Sequence, residues 1–247
     1  MKATAHLTAE FDPVTGRTVL RRLRSMAPLT LLPKRGAGDV ALVHLVNSAT
    51  APLGGDELAL HVRVGPGARL RLSGVAATLA LPGQRGGAGT MAVHAEVAEG
   101  GRLDYLPEPT VVTARARHHA LLTAELAADA RLRTREVLVL GRDGERPGEL
   151  TTAMHVTRGE VPVLRQELTI GDALLDGSSA YLAGRRVLGT EVVVAGSDGA
   201  VEPVSGQWWS LTPLPAGGAL ATVLAEDAVT AERELAEAVS HHPAPIG

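Results

Sequence analysis

Apolar and polar residues alternate with a period of two along most of this chain, a pattern that no helix can bury on one face. Leu58, Leu60, Val62 and Val64 alternate with Glu57, Ala59, His61 and Arg63, and Leu70 and Leu72 resume the pattern after Gly65-Pro66-Gly67. Successive side chains on a strand point to opposite faces, so each such run predicts a strand with one buried face and one wet face. Residues 6–11 and 17–23 flank Asp12-Pro13-Val14-Thr15-Gly16, where Pro presets φ and Gly supplies φ > 0, and so predict a hairpin. Residues 40–46, 135–140, 149–157, 163–170, 185–195 and 219–224 read as further strands. Residues 141–148, 171–177 and 206–218 read as loops or irregular connectors.

Three short segments resemble one another. Val62 to Leu70, Ala95 to Leu103 and Ala124 to Leu132 each run strand, tight turn, then Arg-Leu, with arginines at 69, 102 and 131 separated by 33 and 29 residues. Such repeats predict stacked units that bury their apolar faces against one another. The expected fold is all-β, a layered and partly solenoid-like stack of strands with one or two short helices. One helix is predicted at about 227–239, capped by Asp227 with Ala228, Ala231, Leu235 and Ala238 on one face. Residues 241–247 are expected to be a flexible tail, and no linker divides the 247 residues into two domains.

Composition narrows the chemistry. Cysteine is absent, which excludes disulfides, thiolate metal sites and thiol catalysis and suits a reducing, cytoplasmic compartment. The net charge of −3 is mixed in sign and the aromatics are few, so neither an electrostatic nor a stacking case for nucleic acid exists. No segment approaches the ~20 apolar residues of a membrane span, and no apolar signal segment opens the chain. The core must be built of Val, Leu and Ala. No G-x-S-x-G elbow, H-E-x-x-H pair or dinucleotide fingerprint is present, and the glycine-rich run 83–90 lacks the lysine of a phosphate loop and reads as a flexible surface loop. His118 and His119 are adjacent and would face opposite sides of a strand, while His241 and His242 fall in the expected tail. Three carboxylates stand out: Asp56 after Gly54-Gly55, Glu136 ahead of Val137-Leu138-Val139-Leu140, and Glu167 within a strand beside Arg165. An acid inside a strand either pairs with an arginine or lines a wet interior, because an unpaired buried charge is costly.

Several motifs in order carry a family resemblance: Leu53-Gly54-Gly55-Asp56 before an alternating strand, Leu106-Pro107 ending another, Arg135-Glu136 leading to Leu140-Gly141-Arg142, then Gly144-Glu145-Arg146 and Arg165-x-Glu167-Leu168. In this order they resemble the UreD (UreH) urease accessory proteins, over roughly residues 5–170 with a weaker echo near 211–224. The chain departs from that pattern at Ala77 to Pro82, at Thr222 and in lacking a basic C-terminal end. The resemblance implies a non-enzymatic scaffold that binds apo-urease and a UreF-like helical accessory protein, which in turn docks a UreG-like GTPase. A dimeric arrangement within that complex is expected. It also implies Ni²⁺ in transit rather than a tightly bound cofactor, with Asp56, Glu136 and Glu167 as candidate oxygen ligands along an interior route; hard carboxylates without thiolates release such an ion readily. Two other classes fit the residues less well. A β-solenoid carbohydrate-active hydrolase or lyase would use paired acids such as Asp56 and Glu136, and an adhesive repeat protein would need more regular repeats.

Overall fold

The computed structural model describes residues 1–36, 38–84, 86–195 and 201–244. In chain order the strands are β1 (Lys2–Asp12), β2 (Arg17–Arg24), β3 (Leu29–Lys34), β4 (Ala41–Asn47), β5 (Glu57–Val64), β6 (Arg69–Ser73), β7 (Thr78–Ala80), β8 (Gly89–Val97) and β9 (Arg102–Leu106). They continue as β10 (Thr110–Val112), β11 (Arg117–Leu126), β12 (Arg131–Leu140), β13 (Glu149–Arg158) and β14 (Val161–Ile170). After the short helix α1 (Ala173–Asp176) come β15 (Val187–Val194), β16 (Val204–Ser205), β17 (Trp209–Pro213) and β18 (Ala219–Ala225), then helix α2 (Ala228–Ser240).

Two sheets face each other. The first has the order β14-β13-β11-β8-β5-β1-β2, and the second the order β16-β17-β18-β15-β12-β9-β6-β4-β3. Strands β1, β5, β8, β11 and β13 run parallel, as do β4, β6, β9 and β12, with antiparallel strands closing each end. The apolar phase of β5, β6, β9 and β12 points between the sheets, where Leu58, Leu60, Val62 and Val64 of β5 share one continuous core of Leu, Val and Ala with Leu70, Leu72, Leu103 and Leu132, whereas Ala219, Ala221, Val223 and Ala225 of β18 face outward to α2.

The sequence repeat is the coil of a solenoid. Each coil leaves the first sheet, turns, and enters the second: β5 to β6, β8 to β9, β11 to β12. The turns are equivalent, closed by Ala68 N–H donating to Gly65 O, Gly101 to Ala98 and Ala130 to Ala127 at 3.1, 2.9 and 3.1 Å. Arg69, Arg102 and Arg131 are then register partners across β6, β9 and β12. At the opposite end of the coil, the loop after Pro52 stacks on the loop before β8. A Cβ placed on Gly83 would lie 2.0 Å from Gly54 O, so two backbones meet where only hydrogen fits. The run expected to be a flexible surface loop is therefore packed at Gly83 against the preceding coil; Arg85 lies outside the described residues.

α2 begins where expected, with Asp227 accepting from Thr230 N–H at 2.8 Å, and it buries Ala231, Leu235, Ala238 and Val239. It lies on the outer side of the second sheet against β15, β17 and β18. Two expectations require correction. Residues 206–218 are not an irregular connector, since β17 pairs with β18 from Trp209 to Pro213; the Trp, Pro and Gly around it hide the strand in the sequence. The start of the expected tail is packed: His241 stacks on Trp209 at 5.5 Å and His242 is buried. Residues 245–247 of that tail lie outside the described residues.

Candidate functional site

On β12 the inward phase is Leu132, Thr134, Glu136, Leu138, Leu140, so the same alternation that builds the core carries one carboxylate into it. A cavity of about 180 Å³ opens between the sheets at this point. It is lined from the second sheet by Tyr105, Thr134 and Glu136, from the first by His118, Leu122 and Met154, and from the segments that follow β6 and β9 by Gly74 to Thr78, Pro107 and Glu108.

Glu136 is held by a threonine and not by an arginine. Both carboxylate oxygens accept from the Thr152 hydroxyl, at 2.9 and 2.8 Å across the gap from β13. Burial pushes its pKa up from 4.5 to about 7, the Thr152 bond opposing the shift. Burial, and then the charge of Glu136, push the Tyr105 hydroxyl up as well. Burial brings His118 down to about 4, so the ring is neutral at pH 7. The His118 Nδ1 and the Thr134 hydroxyl are buried without a hydrogen-bond partner. Buried polar atoms are costly without partners, and a cavity of this size has room for several waters or a hydrated ion to satisfy them.

The other two predicted carboxylates stand elsewhere. Asp56 is buried, but its Oδ1 is 2.6 Å from the Met1 amino group and its Oδ2 accepts from Leu53 N–H at 2.9 Å. Burial would raise its pKa, yet the bonds from the Met1 amine and Leu53 hold it below the usual carboxylate range. It closes the turn that starts β5. Glu167 is exposed: β14 points Leu164, Gln166, Leu168 and Ile170 inward opposite Val156, Met154, Thr152 and Leu150, which leaves Glu167 on the outer face across from Ala153. The expectation that it faces the interior is corrected by that register. The structure thus brings only Glu136 to the cavity, and the pairing of Asp56 with Glu136 that a hydrolase would use is not formed.

The buried acids Asp104 and Glu191 are paired with arginine. Asp104 accepts from Arg102 through both oxygens at 3.0 Å, and Glu191 pairs with Arg133 at 2.5 Å. Glu136 differs from them in facing a cavity with a hydroxyl for company. Its neighbours Tyr105, His118, Thr134 and Thr152 were not singled out as a site from the sequence. The available signal is parity: each sits at an inward position of an otherwise apolar alternation.

Two facing sheets built from stacked parallel coils define the class of protein, an all-β, solenoid-like body with a cavity between its sheets. The UreD urease accessory protein family model matches residues 3–243, and the chain belongs to that family. It is 59% identical to urease accessory protein UreD 1 of Saccharopolyspora erythraea, covering 98% of this chain and 96% of that protein. It is 40% identical to UreD of Streptomyces avermitilis, with 97% of each covered, and 40% identical to UreD of Parafrankia sp., with 95% and 86% covered.

Proposed function

We propose that this chain is a scaffold in urease maturation that binds apo-urease and a UreF-like helical accessory protein, receives a UreG-like GTPase through the latter, and holds Ni²⁺ transiently at Glu136 on its way to the urease metallocentre. In this reading it catalyses no reaction, works in the cytoplasm and keeps no cofactor. Family membership supports the maturation role. The observation that carries the interior step is Glu136, a carboxylate facing a largely apolar cavity with a hydroxyl rather than a cation as its partner.

The chemistry suits transit. Carboxylate and hydroxyl oxygens are hard donors that hold Ni²⁺ weakly compared with thiolates. A carboxyl with a pKa near 7 exchanges an ion for a proton at neutral pH at little cost. Glu108 offers a second carboxylate toward the loop end of the cavity.

The test is urease activation with purified apo-urease and the accessory partners at limiting nickel. Glu136→Gln keeps the shape and the Thr152 bond but removes the charge. Activation should fall roughly ten-fold, as for loss of a tuned metal contact, and recover in excess nickel. Unchanged activation at limiting nickel would remove Glu136 from the route. Failure of the wild-type chain to co-purify with the helical partner would remove the scaffold role itself.

A further inference from the structure

The outer face of the first sheet carries a ladder of histidines that has no part in the interior cavity. His6 on β1, His61 on β5 and His94 on β8 are register partners across three adjacent parallel strands. Their rings stack with centroids 5.1 Å apart at both steps and interplanar angles of 15° and 19°. Thr4, Ala59 and Ala92 lie along one side of the row. Thr8, Arg63 and Glu96 lie along the other, with Arg63 and Glu96 ion-paired at 2.8 Å. Arg22 and Arg24 of β2 approach His6 from the sheet edge.

Parallel register holds neighbouring backbones about 4.8 Å apart, a spacing set by the sheet and not by the side chains. In the stacked arrangement, no three metal-binding side chains converge on one point among the described residues. Two adjacent rings need less. Rotation about Cβ–Cγ turns their outer nitrogens toward a shared ion at the ~2.1 Å of a metal–imidazole bond, while the rigid strands keep the partners together.

We propose that this ladder is a two-ligand site for a late first-row divalent cation, with His61 as the required ligand, either His6 or His94 as the second, and water completing the shell. Imidazole favours Ni²⁺, Cu²⁺ and Zn²⁺ over Mg²⁺ or Ca²⁺. One ion occupies the site at a time, because the two pairs share His61. The site rests on the outer face alone and stands whether or not Glu136 handles nickel.

The degeneracy of the ladder gives a test that a structural role would not mimic. Cu²⁺ and Ni²⁺ are titrated separately into the full chain at pH 7.5 by calorimetry, and the Cu²⁺ complex is examined by electron paramagnetic resonance for two nitrogen donors. His6→Ala or His94→Ala leaves the other pair in place and should weaken binding only about two-fold. His61→Ala, or His61→Gln as a variant closer in size, leaves rings about 10 Å apart, twice the ladder step, and should weaken binding ~10-fold or more because one imidazole must act alone. His119→Ala, on the same face but in another row, should leave the affinity unchanged. The proposal is overturned if the His61 variants bind like the parent, if all three ladder variants lose affinity equally, or if binding is lost instead on replacing His241 and His242. Loss in Glu136→Gln alone would instead assign the bound ion to the cavity.

Discussion

Glu136 and His118 stand on opposite walls of one cavity, and burial drives both toward their neutral forms, which shifts their pKa values in opposite directions. The folded state raises Glu136 from 4.5 to about 7, so its contribution to stability is complete below about pH 4.5 and is lost as pH rises to about 7. The folded state lowers His118 from 6.5 to about 4, so its contribution is complete above about pH 6.5 and is lost as pH falls to about 4. Between about pH 4.5 and 6.5 the two slopes oppose each other, and wild-type stability should change little from this pair. Glu136→Gln removes one slope. The variant should gain on the order of 2 kcal/mol over wild type at pH 8, where the parent buries a charge, and should lose stability steadily on acidification below pH 6.5. Denaturant midpoints across the pH range read both effects, and parallel profiles for the two proteins would contradict the burial of an ionisable Glu136. Glu136 was legible because its parity on an apolar strand points it inward. The outward position of Glu167 was equally legible from Leu164, Leu168 and Ile170, which share a parity that Glu167 lacks. The role of Asp56 was not, since its partner Met1 is 55 residues away and no local pattern encodes that meeting.

At the scale of the element, the coil explains both the regularity and its limits. The turns at residues 65–68, 98–101 and 127–130 repeat one backbone bond, and this is why Arg69, Arg102 and Arg131 could be aligned in the sequence and then proved to be neighbours. The uneven spacing arises on the return path, where β7 and β10 are three-residue strands in loops of different length. Such short strands have no alternation to read, and β3, β16 and β17 escaped for related reasons: Pro33 interrupts one, and Trp, Pro and Gly surround the others. The return path is held by close backbone approach. Gly83→Ala places a methyl group against the Gly54 carbonyl, where neither partner is a flexible side chain that could move away. Overpacking of this kind costs about 1–3 kcal/mol. Gly83 lacks the positive φ of Gly86 and Gly87, so the loss reports steric contact and not backbone strain. A thermal melt of Gly83→Ala indistinguishable from wild type would show that the two loops are not packed as described.

The whole molecule is a row of parallel coils with dissimilar ends, and its stability should follow that order. β5 and β8 are flanked on both sides in the first sheet and covered by the second, with Leu60 and Val62 almost wholly buried. β2 and β14 form the edges of the first sheet, and each joins its neighbour through a bulge, at Thr8/Ala9 and Val156/Thr157. Bulges and charged side chains are how exposed edges avoid pairing with other chains, and β2 carries Arg17, Arg21, Arg22 and Arg24. Local opening needs the loss of few contacts at such edges and of many at the centre. Native-state hydrogen exchange should therefore show amides of β5, β8 and β11 opening only with global unfolding, and those of β2, β14 and β16 opening at far lower free energy. A rigid centre keeps the cavity walls of β8, β11, β12 and β13 in place while the edges open. Uniform protection from β2 to β14 would mean that the coils open as one body and that the edges have no freedom of their own.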